Sequence, residues 1–375
     1  MDGRRRLPVL AFGRSGATVK LQEHVPLAPY TTIGLGGPAR FFVDCTNENE
    51  LREAFTLARQ RRLPVQVLGG GSNVIFPDAG FPGLVVRVAL GGLTVREAGD
   101  AADVGAGAGV VWDELVAEAV RRGLSGVECL SGIPGLVGGT PIQNVGAYGQ
   151  EVAETILGVT CLVRDTLERV TFDAAGCGFA YRTSRFKRED QDRFVVLGVT
   201  FRLRRHTVPT LRYPELANAV AEKADLARLP PAEGVRLVRD TVLELRRRKS
   251  MVLDAGDPNT RSVGSFFVNP VLPTEAFAEL ERRWKAAGGS APIPTFPAPA
   301  GVKVPAAWLV EQAGFRKGYR KDGVGISSRH ALALVNLGGT TAQLLALAGE
   351  IERAVREKFG VRLEREPVVV SPALR

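Results

Sequence analysis

The sequence predicts an α+β fold in two parts that meet near residue 206. Three observations carry this. Residues 39–68 read as strand, helix, strand and deliver three consecutive glycines, Gly69, Gly70 and Gly71. A second glycine-rich stretch, 131–151, follows a further run of strands and helix. Beyond His206 the alternating apolar texture gives way to charged helical segments. With 375 residues, 45% hydrophobic and 24% charged, the chain has the length and composition for two or three packed cores.

Taken in order, the opening MDGRRRLPVLAF has too short an apolar stretch for a secretory segment and reads as a frayed terminus. Residues 1–30 are assigned to an N-terminal extension. Ala39 to Val43 is an apolar strand. Asn47 and Glu50 form an Asx-x-x-Glu cap, after which Leu51, Ala54, Phe55 and Ala58 recur at helical spacing. Arg61 and Arg62 suit the negative end of that helix, and Pro64 precedes the strand that ends in the glycines. LVVRV (84–88) and ADVGAGA (102–108) read as strands of a second βαβ-like unit, whose helix, 112–123, stops at Gly123. ILGVTCLVR, ERVTF and FVVLGVTFRL, within 156–205, alternate as a mixed or antiparallel sheet. Residues 214–250 are helical, GSFFVNP (264–270) is strand-like, and 288–305 is a proline-rich loop. Helices at 306–313 and 340–359 and a strand at 331–337 complete the chain.

Charge and cysteine usage narrow the function. The net charge of +9 suits nucleic acid or small anionic ligands such as nucleotides. The basic residues are scattered without an RNP-like or finger-like pattern, which favours the small ligands. No apolar run reaches the roughly 18 residues that span a membrane. Cys45, Cys129, Cys161 and Cys177 lack any CxxC pairing, and His24, His206 and His330 are isolated, so neither a compact zinc site nor a metal-dependent active site is expected. The cysteine pattern points to inert thiols in a reducing compartment.

The glycine loops carry the chemistry. Residues 68–73 match neither GxxxxGK[ST] nor GxGxxG. Consecutive main-chain amides nevertheless make an anion-binding concavity, and Ser72 and Asn73 add donors. The plainer reading is a tight turn between strands. Residues 131–151 hold six glycines, two prolines and a single charge, too apolar for a solvent-exposed linker. A long ligand with a central diphosphate and a flat ring at one end needs both loops. At such loops a Cβ holds the backbone away from the ligand, so glycine is expected.

TTIGLGGPARFF (31–42), LGGGSNVIF (68–76), GIPGLVGGTPIQNVGAYGQE (132–151), FAYRTSRFK (179–187), GSFFVNP and the terminal LERE together resemble the UDP-N-acetylenolpyruvoylglucosamine reductases, the MurB family of peptidoglycan synthesis. The resemblance runs in matching order from about Leu27 to Val370. It implies an FAD-binding domain of the PCMH/VAO type, made of two α/β subdomains, at 31–206, and a C-terminal α+β substrate-binding domain at 207–375. It also implies reduction of the enolpyruvyl ether of a UDP-sugar, with NADPH as co-substrate, in the cytoplasm. No histidine lies between His24 and His206, so the FAD is expected to be non-covalent. The expected partners are the UDP-sugar and NADPH, with neither nucleic acid nor membrane, and the expected state is a monomer.

Hydride addition to C3 of an enolpyruvyl group builds negative charge at C2 and the carboxylate, so a cation and a proton donor are needed. By resemblance these are Arg182, Ser265 and Glu366. Arg182 offers a fork that suits a carboxylate, Ser265 offers a hydroxyl proton, and Glu366 acts with Arg182 to polarise the developing acid enolate. A serine is a weak acid and needs help, for which Lys249 or a water is available. Read from residue type alone, Arg182 is an ion pair at a sheet edge, Ser265 a cap or turn residue, and Glu366 a solvated charge. The family's usual LEPEV is LEREP here, so Glu364 competes with Glu366. FAD contacts are expected from Gly69, Gly70, Gly71, Ser72 and Asn73, and from Ile133, Gly135, Gly139, Thr140, Gln143, Gly146 and Ala147. Substrate contacts are expected from Tyr148, Arg246, Lys249, Asn269 and Gln312. Tyr213, in LRYPEL, matches the tyrosine-bearing insertion of one subtype and suits a lid over the diphosphate. Val268 stands where a lysine is common, and KSMVLD replaces KLPDP. Two other readings stand beside this one: another flavoenzyme on the same scaffold, such as an alcohol or sugar oxidase, and a non-catalytic nucleotide- or nucleic-acid-binding module.

Overall fold

The computed structural model describes residues 19–298 and 301–371. The segment 1–18, read above as a frayed terminus, lies outside the described residues. Strands β1 (Gln22–Pro26) and β2 (Pro38–Cys45), helix α1 (Glu48–Gln60), and strands β3 (Val65–Leu68), β4 (Val74–Ile75) and β5 (Phe81–Val88) open the chain. They form a four-stranded sheet of order β1-β2-β5-β3, in which β2 and β3 both run parallel to β5. Helix α1 buries Leu51, Ala54, Phe55 and Ala58, the residues at helical spacing, and the Asn47 side chain accepts the Glu50 N–H at 3.0 Å. The carboxyl ends of the three parallel strands point the same way, which puts the first glycine loop at one end of the sheet.

Next come β6 (Leu93–Ala98), β7 (Ala101–Gly107), α2 (Trp112–Arg121), the short hairpin β8 (Gly146–Ala147) and β9 (Gln150–Glu151), and β10 (Ile156–Val163), β11 (Arg169–Asp173) and β12 (Phe194–Arg204). The second βαβ-like unit is not formed. Strand β7 joins a five-stranded antiparallel sheet of order β11-β10-β12-β7-β6, separate from that of β5. Strand β6 turns back on β7 through Gly99, at φ +66°, the distant β12 pairs on the other side, and Ala102, Val104 and Ala106 alternate inward as a one-faced strand requires. Helix α2 covers that face with Trp112, Leu115, Val116, Ala119 and Val120, and Trp112 lies 5.7 Å from the Phe201 ring. One apolar cluster joins Phe41, Phe55 and Val86 of the first sheet region to Val104 and Phe201 of the second.

Helices α3 (Pro214–Ala221) and α4 (Pro231–Arg248) follow. Their Leu216, Val220, Val238 and Val242 pack with Cys129 and Tyr148, and Arg239 makes a two-pronged ion pair, at 2.7 and 2.8 Å, with Asp113 at the start of α2. The remaining elements are β13 (Val271–Leu272), α5 (Thr274–Ala286), β14 (Phe296–Ala298), β15 (Gly301–Lys303), α6 (Ala306–Gln312), β16 (Arg320–Lys321), β17 (Val324–Ile326), β18 (Leu334–Asn336), α7 (Thr341–Phe359) and β19 (Val368–Val369). Within the proline-rich stretch, β14 pairs antiparallel with β15. GSFFVNP is not a regular strand: Gly264, at φ +78°, and Pro270 bound it, and Phe267 makes a single bridge to Arg365. Helix α7 opens with a Thr340–Gln343 capping box, and Asp78 accepts its first N–H groups, from Thr341 at 2.8 Å and Ala342 at 2.9 Å. Strand β19 then returns to pair in parallel with β4, immediately after the first glycine loop. Among the described residues no helix is long and apolar enough to cross a membrane.

Candidate active site

The two glycine loops touch each other. A Cβ at Gly70 would stand 2.9 Å from Gly135 Cα, and one at Gly135, where φ is +125°, would stand 2.7 Å from Ser72 Oγ. At Gly71, φ +64°, a Cβ would meet the Tyr30 carbonyl at 1.9 Å, and at Gly146 it would stand 3.1 Å from Arg182 Nη1. At Gly70 and Gly71 neighbouring backbone requires glycine, at Gly135 the positive φ does, and at Gly146 the Gln150 carbonyl lies 2.9 Å from the added Cβ, so these glycines have reasons within the protein beside the expected approach of a ligand. Gly69 and Gly139 differ, because a Cβ at either would meet nothing within 4 Å. These two backbones border open space. Thr140 is buried, with its hydroxyl donating to Val137 O at 2.8 Å, and Ile133 and Ala147 are half-buried beside the first core. Asn73 Nδ2 donates to Gln143 Oε1 at 2.7 Å, so two expected cofactor contacts bond to each other.

Gln143 continues the chain of bonds to Glu366. Its Nε2 donates to Glu366 Oε1 at 3.1 Å, and Asn73 Nδ2 reaches the Glu366 carbonyl at 3.3 Å. Arg182 faces the same carboxylate, Nε to Oε1 at 3.6 Å, and donates through Nη2 to Gly146 O at 2.7 Å. Its backbone is left-handed, φ +55°, a conformation that costs about 1–3 kcal/mol for a non-glycine residue and clusters at functional sites. Burial pushes the Glu366 carboxyl above its usual pKa, and Arg182, Lys187 and the Gln143 amide oppose that rise. The neighbouring main chain fixes the register. Glu366 N–H donates to Phe266 O at 2.9 Å and Val268 N–H to Glu364 O at 2.9 Å. Ser265 therefore lies one residue from the strand contact that holds Glu366. Its hydroxyl makes no hydrogen bond among the described residues. The competing Glu364 is exposed.

Tyr148 and Tyr213 meet edge to face at 5.5 Å, and Lys249 Nζ lies 5.8 Å from the centre of the Tyr148 ring while pairing with Glu215 at 2.6 Å. No bond among the described residues joins Lys249 to Ser265, so the help expected of it there has no direct contact. Burial pushes the Tyr148 hydroxyl up to about 12, so it remains a neutral donor. Arg246 is almost wholly buried and donates to Met251 O at 2.7 Å, but its Nε has no partner. An unpaired buried guanidinium N–H is costly and suits an anionic ligand. Asn269 Oδ1 accepts from Ala306 N–H at 2.8 Å. Gln312, at the end of α6, has its carbonyl held by Lys358 at 2.6 Å, and no bond among the described residues ties it to the Arg182–Glu366 pair.

Residue type alone did not single out four neighbours of this site. Tyr181 stacks under the Lys303 ammonium at 4.1 Å, and Lys187 donates to Arg182 O at 3.2 Å. His330 is kept neutral, its pKa lowered to about 4 by burial and by Lys249, Arg246 and Lys317. Its Nδ1 accepts from Leu332 N–H at 3.0 Å, which leaves the proton on Nε2. A lone histidine or lysine has no spacing to give it away. Only the FAYRTSRFK motif held a signal for Tyr181 and Lys187.

Comparison with known proteins bears on this geometry. Residues 257–370 match the family model of the UDP-N-acetylenolpyruvoylglucosamine reductase C-terminal domain, and residues 39–168 match that of an FAD binding domain. The UDP-N-acetylenolpyruvoylglucosamine reductase of Thermobifida fusca is 47% identical over 95% of this chain and 100% of its own length. That of Salinispora arenicola is 50% identical over 93% and 95%. The crystal structure of the Thermus caldophilus enzyme (MurB) superposes with a TM-score of 0.61 at 26% identity, over 94% of this chain and 98% of that one. With relatives this similar along nearly its whole length, the chain belongs to the UDP-N-acetylenolpyruvoylglucosamine reductase family.

Proposed function

We propose that this chain reduces UDP-N-acetylglucosamine enolpyruvate to UDP-N-acetylmuramate with NADPH and non-covalent FAD, in peptidoglycan synthesis. The observation that carries the reading is the meeting of Arg182, Glu366 and the Ser265 segment beside the two glycine loops, from three distant parts of the chain. The residues present fit FAD. Gly69 and Gly139 border open space with no side chain of their own, and Ser72 and the amides of 69–73 offer donors to a diphosphate. Residues 133–147 would lie along the rest of the cofactor.

FAD, when bound and reduced by NADPH, would supply hydride chemistry for C3 of the enolpyruvyl group. Arg182 pairs with the substrate carboxylate and offsets the negative charge that develops on it. Ser265, with its hydroxyl uncommitted, delivers the proton to C2. Glu366 orients Arg182 and acts with it to polarise the developing acid enolate. Tyr148, Tyr213, Arg246 and Lys249 hold the sugar nucleotide, with Tyr213 as the outer aromatic closing over the diphosphate. We assign 31–206 to the cofactor and 207–375 to the substrate, in a cytoplasmic monomer. One anaerobic titration tests the function. NADPH should bleach the flavin, and the enolpyruvyl sugar nucleotide should bring the oxidised spectrum back. A bleached flavin that stays bleached defeats the substrate assignment, and a folded protein that cannot take up FAD defeats the whole reading.

A further inference from the structure

We propose that Lys187 is a positioning residue for this reduction: its ammonium anchors the carbonyl of Arg182, and so the bend that aims the guanidinium at Glu366, while adding a second positive charge to the site. The inference rests on the roles given above to Arg182 and Glu366. Arg182 adopts a left-handed backbone, φ +55°, without being glycine. Such a residue holds its conformation only when its surroundings over-determine it. The Arg182 side chain is fixed by Gly146 O at 2.7 Å; its bend is closed by reciprocal Ala180–Thr183 backbone bonds, both 3.1 Å, and its own carbonyl is held by Lys187 Nζ, which donates to Arg182 O at 3.2 Å.

The base of Lys187 is itself rigid. It ends the short helical turn Arg185–Lys187, whose cap, Ser184, accepts Phe186 N–H at 3.2 Å and donates through Oγ to Ile142 O at 2.6 Å. The turn is therefore tied to the loop that carries Gln143. Phe186 is buried, with its ring edge to face against Phe172 and Phe194. A lysine mounted this way is not a freely solvated surface charge. The charged and titratable groups facing Glu366 are Arg182, Lys187 and Tyr181, and its hydrogen-bond donor is Gln143. The adjacent Arg365 is committed to Glu352 at 2.6 Å. Glu366 thus lies 3.6 Å from Arg182, and the charge of Lys187, held on the Arg182 carbonyl, also opposes the effect of burial on its ionisation.

The test compares Lys187→Met, Lys187→Arg and Glu366→Gln in the FAD-loaded enzyme. Flavin reduction by NADPH and reoxidation by the enolpyruvyl sugar nucleotide are followed separately across pH. Lys187→Met should hold FAD and be bleached by NADPH as the wild type is. Its reoxidation should fall by about tenfold or more, as expected when a catalytic group is misplaced by a fraction of an ångström. The ionisation that disappears in Glu366→Gln should move alkaline, and Lys187→Arg should restore both rate and profile. A Lys187→Met enzyme with the wild-type rate and profile overturns the proposal, as does a Lys187→Arg enzyme that restores neither. If Lys187→Met does not fold, Lys187→Gln takes the same measurements. The carboxyl stretch of Glu366, titrated by difference infrared spectroscopy without substrate, reads the charge effect independently of turnover. If the wild type itself is not reoxidised, the substrate assignment has failed, and the infrared titration alone decides the role of Lys187.

Discussion

Alanine at residue 139 separates the requirements of the cofactor from those of the fold. A Cβ there would meet no protein atom within 4 Å, and Gly139 is not among the positive-φ glycines. It ends the short helical turn Val137–Gly139, where alanine is favoured over glycine by about 0.5–1 kcal/mol. The apo protein should therefore unfold at an unchanged or slightly higher temperature. If FAD lies along this backbone, the added methyl intrudes on the ligand, at the about 1–3 kcal/mol typical of overpacking. That corresponds to roughly a 5- to 150-fold rise in the FAD Kd. Under saturating FAD the same loss appears as a smaller ligand-induced stabilisation, and at about 2–4 °C per kcal/mol it lowers the holo Tm by about 2–12 °C. Gly70→Ala should behave in the opposite way. Its Cβ would lie 2.9 Å from Gly135 Cα and 3.2 Å from Gly135 C, so it forces the two loops apart in the apo protein too, at about 1–3 kcal/mol. Calorimetry of apo and FAD-loaded forms, with FAD affinity from fluorescence quenching, separates the two. A Gly139→Ala protein that binds FAD as tightly as wild type, or a Gly70→Ala apoprotein of undiminished stability, would refute the reasoning.

Three further outcomes follow from particular contacts. Ser265→Ala should keep FAD and be bleached normally by NADPH, yet lose reoxidation by orders of magnitude, and normal stopped-flow turnover would remove Ser265 as proton donor. Asp113→Asn should lower stability by about 1–3 kcal/mol and raise KM for the sugar nucleotide, because Asp113 holds both Gly132 N–H, at 2.6 Å, and the helix that carries Arg246. Burial raises the Asp113 pKa, but Arg239 and the Gly132 N–H outweigh it and leave it below the usual value. Its contribution is thus present above the unfolded pKa of about 3.9 and lost as pH falls through the depressed folded value, so wild type and variant should converge in acid. A stability difference that persists or widens there counts against the pairing. Val368→Pro removes the N–H that donates to Asn73 O at 3.0 Å, at a residue that is 44% exposed, and should slow reoxidation more than it weakens FAD binding. A loss of FAD binding with normal reoxidation of the bound flavin would show that β19 braces the loop without positioning Glu366.

What the sequence made legible depends on how local the determining contacts are. Helix α1 was readable because Asn47, Leu51, Ala54, Phe55 and Ala58 decide it within one segment. The sheet membership of β7 was not, because its alternation fits either sheet and its partner β12 lies almost a hundred residues on, Val104 opposite Phe201. The glycine loops were visible as loops, but the reason for each glycine was not. Gly70 answers to Gly135 and Gly71 to Tyr30, both contacts between segments far apart in sequence, whereas Gly69 and Gly139 leave the space a ligand would use. Arg182, Ser265 and Glu366 were reached through a family motif, not through periodicity. Between Glu364 and Glu366 the difference is one of contact: Glu364 is exposed, whereas Glu366 lies 3.6 Å from Arg182 and accepts from Gln143. Both sit in one backbone register, Glu366 N–H to Phe266 O and Val268 N–H to Glu364 O. That register is enforced from the far side by β19 lying on β4, the strand directly after Asn73. The same tail therefore sets the position of the acidic residue and braces the first glycine loop, so disturbing one should be felt at the other.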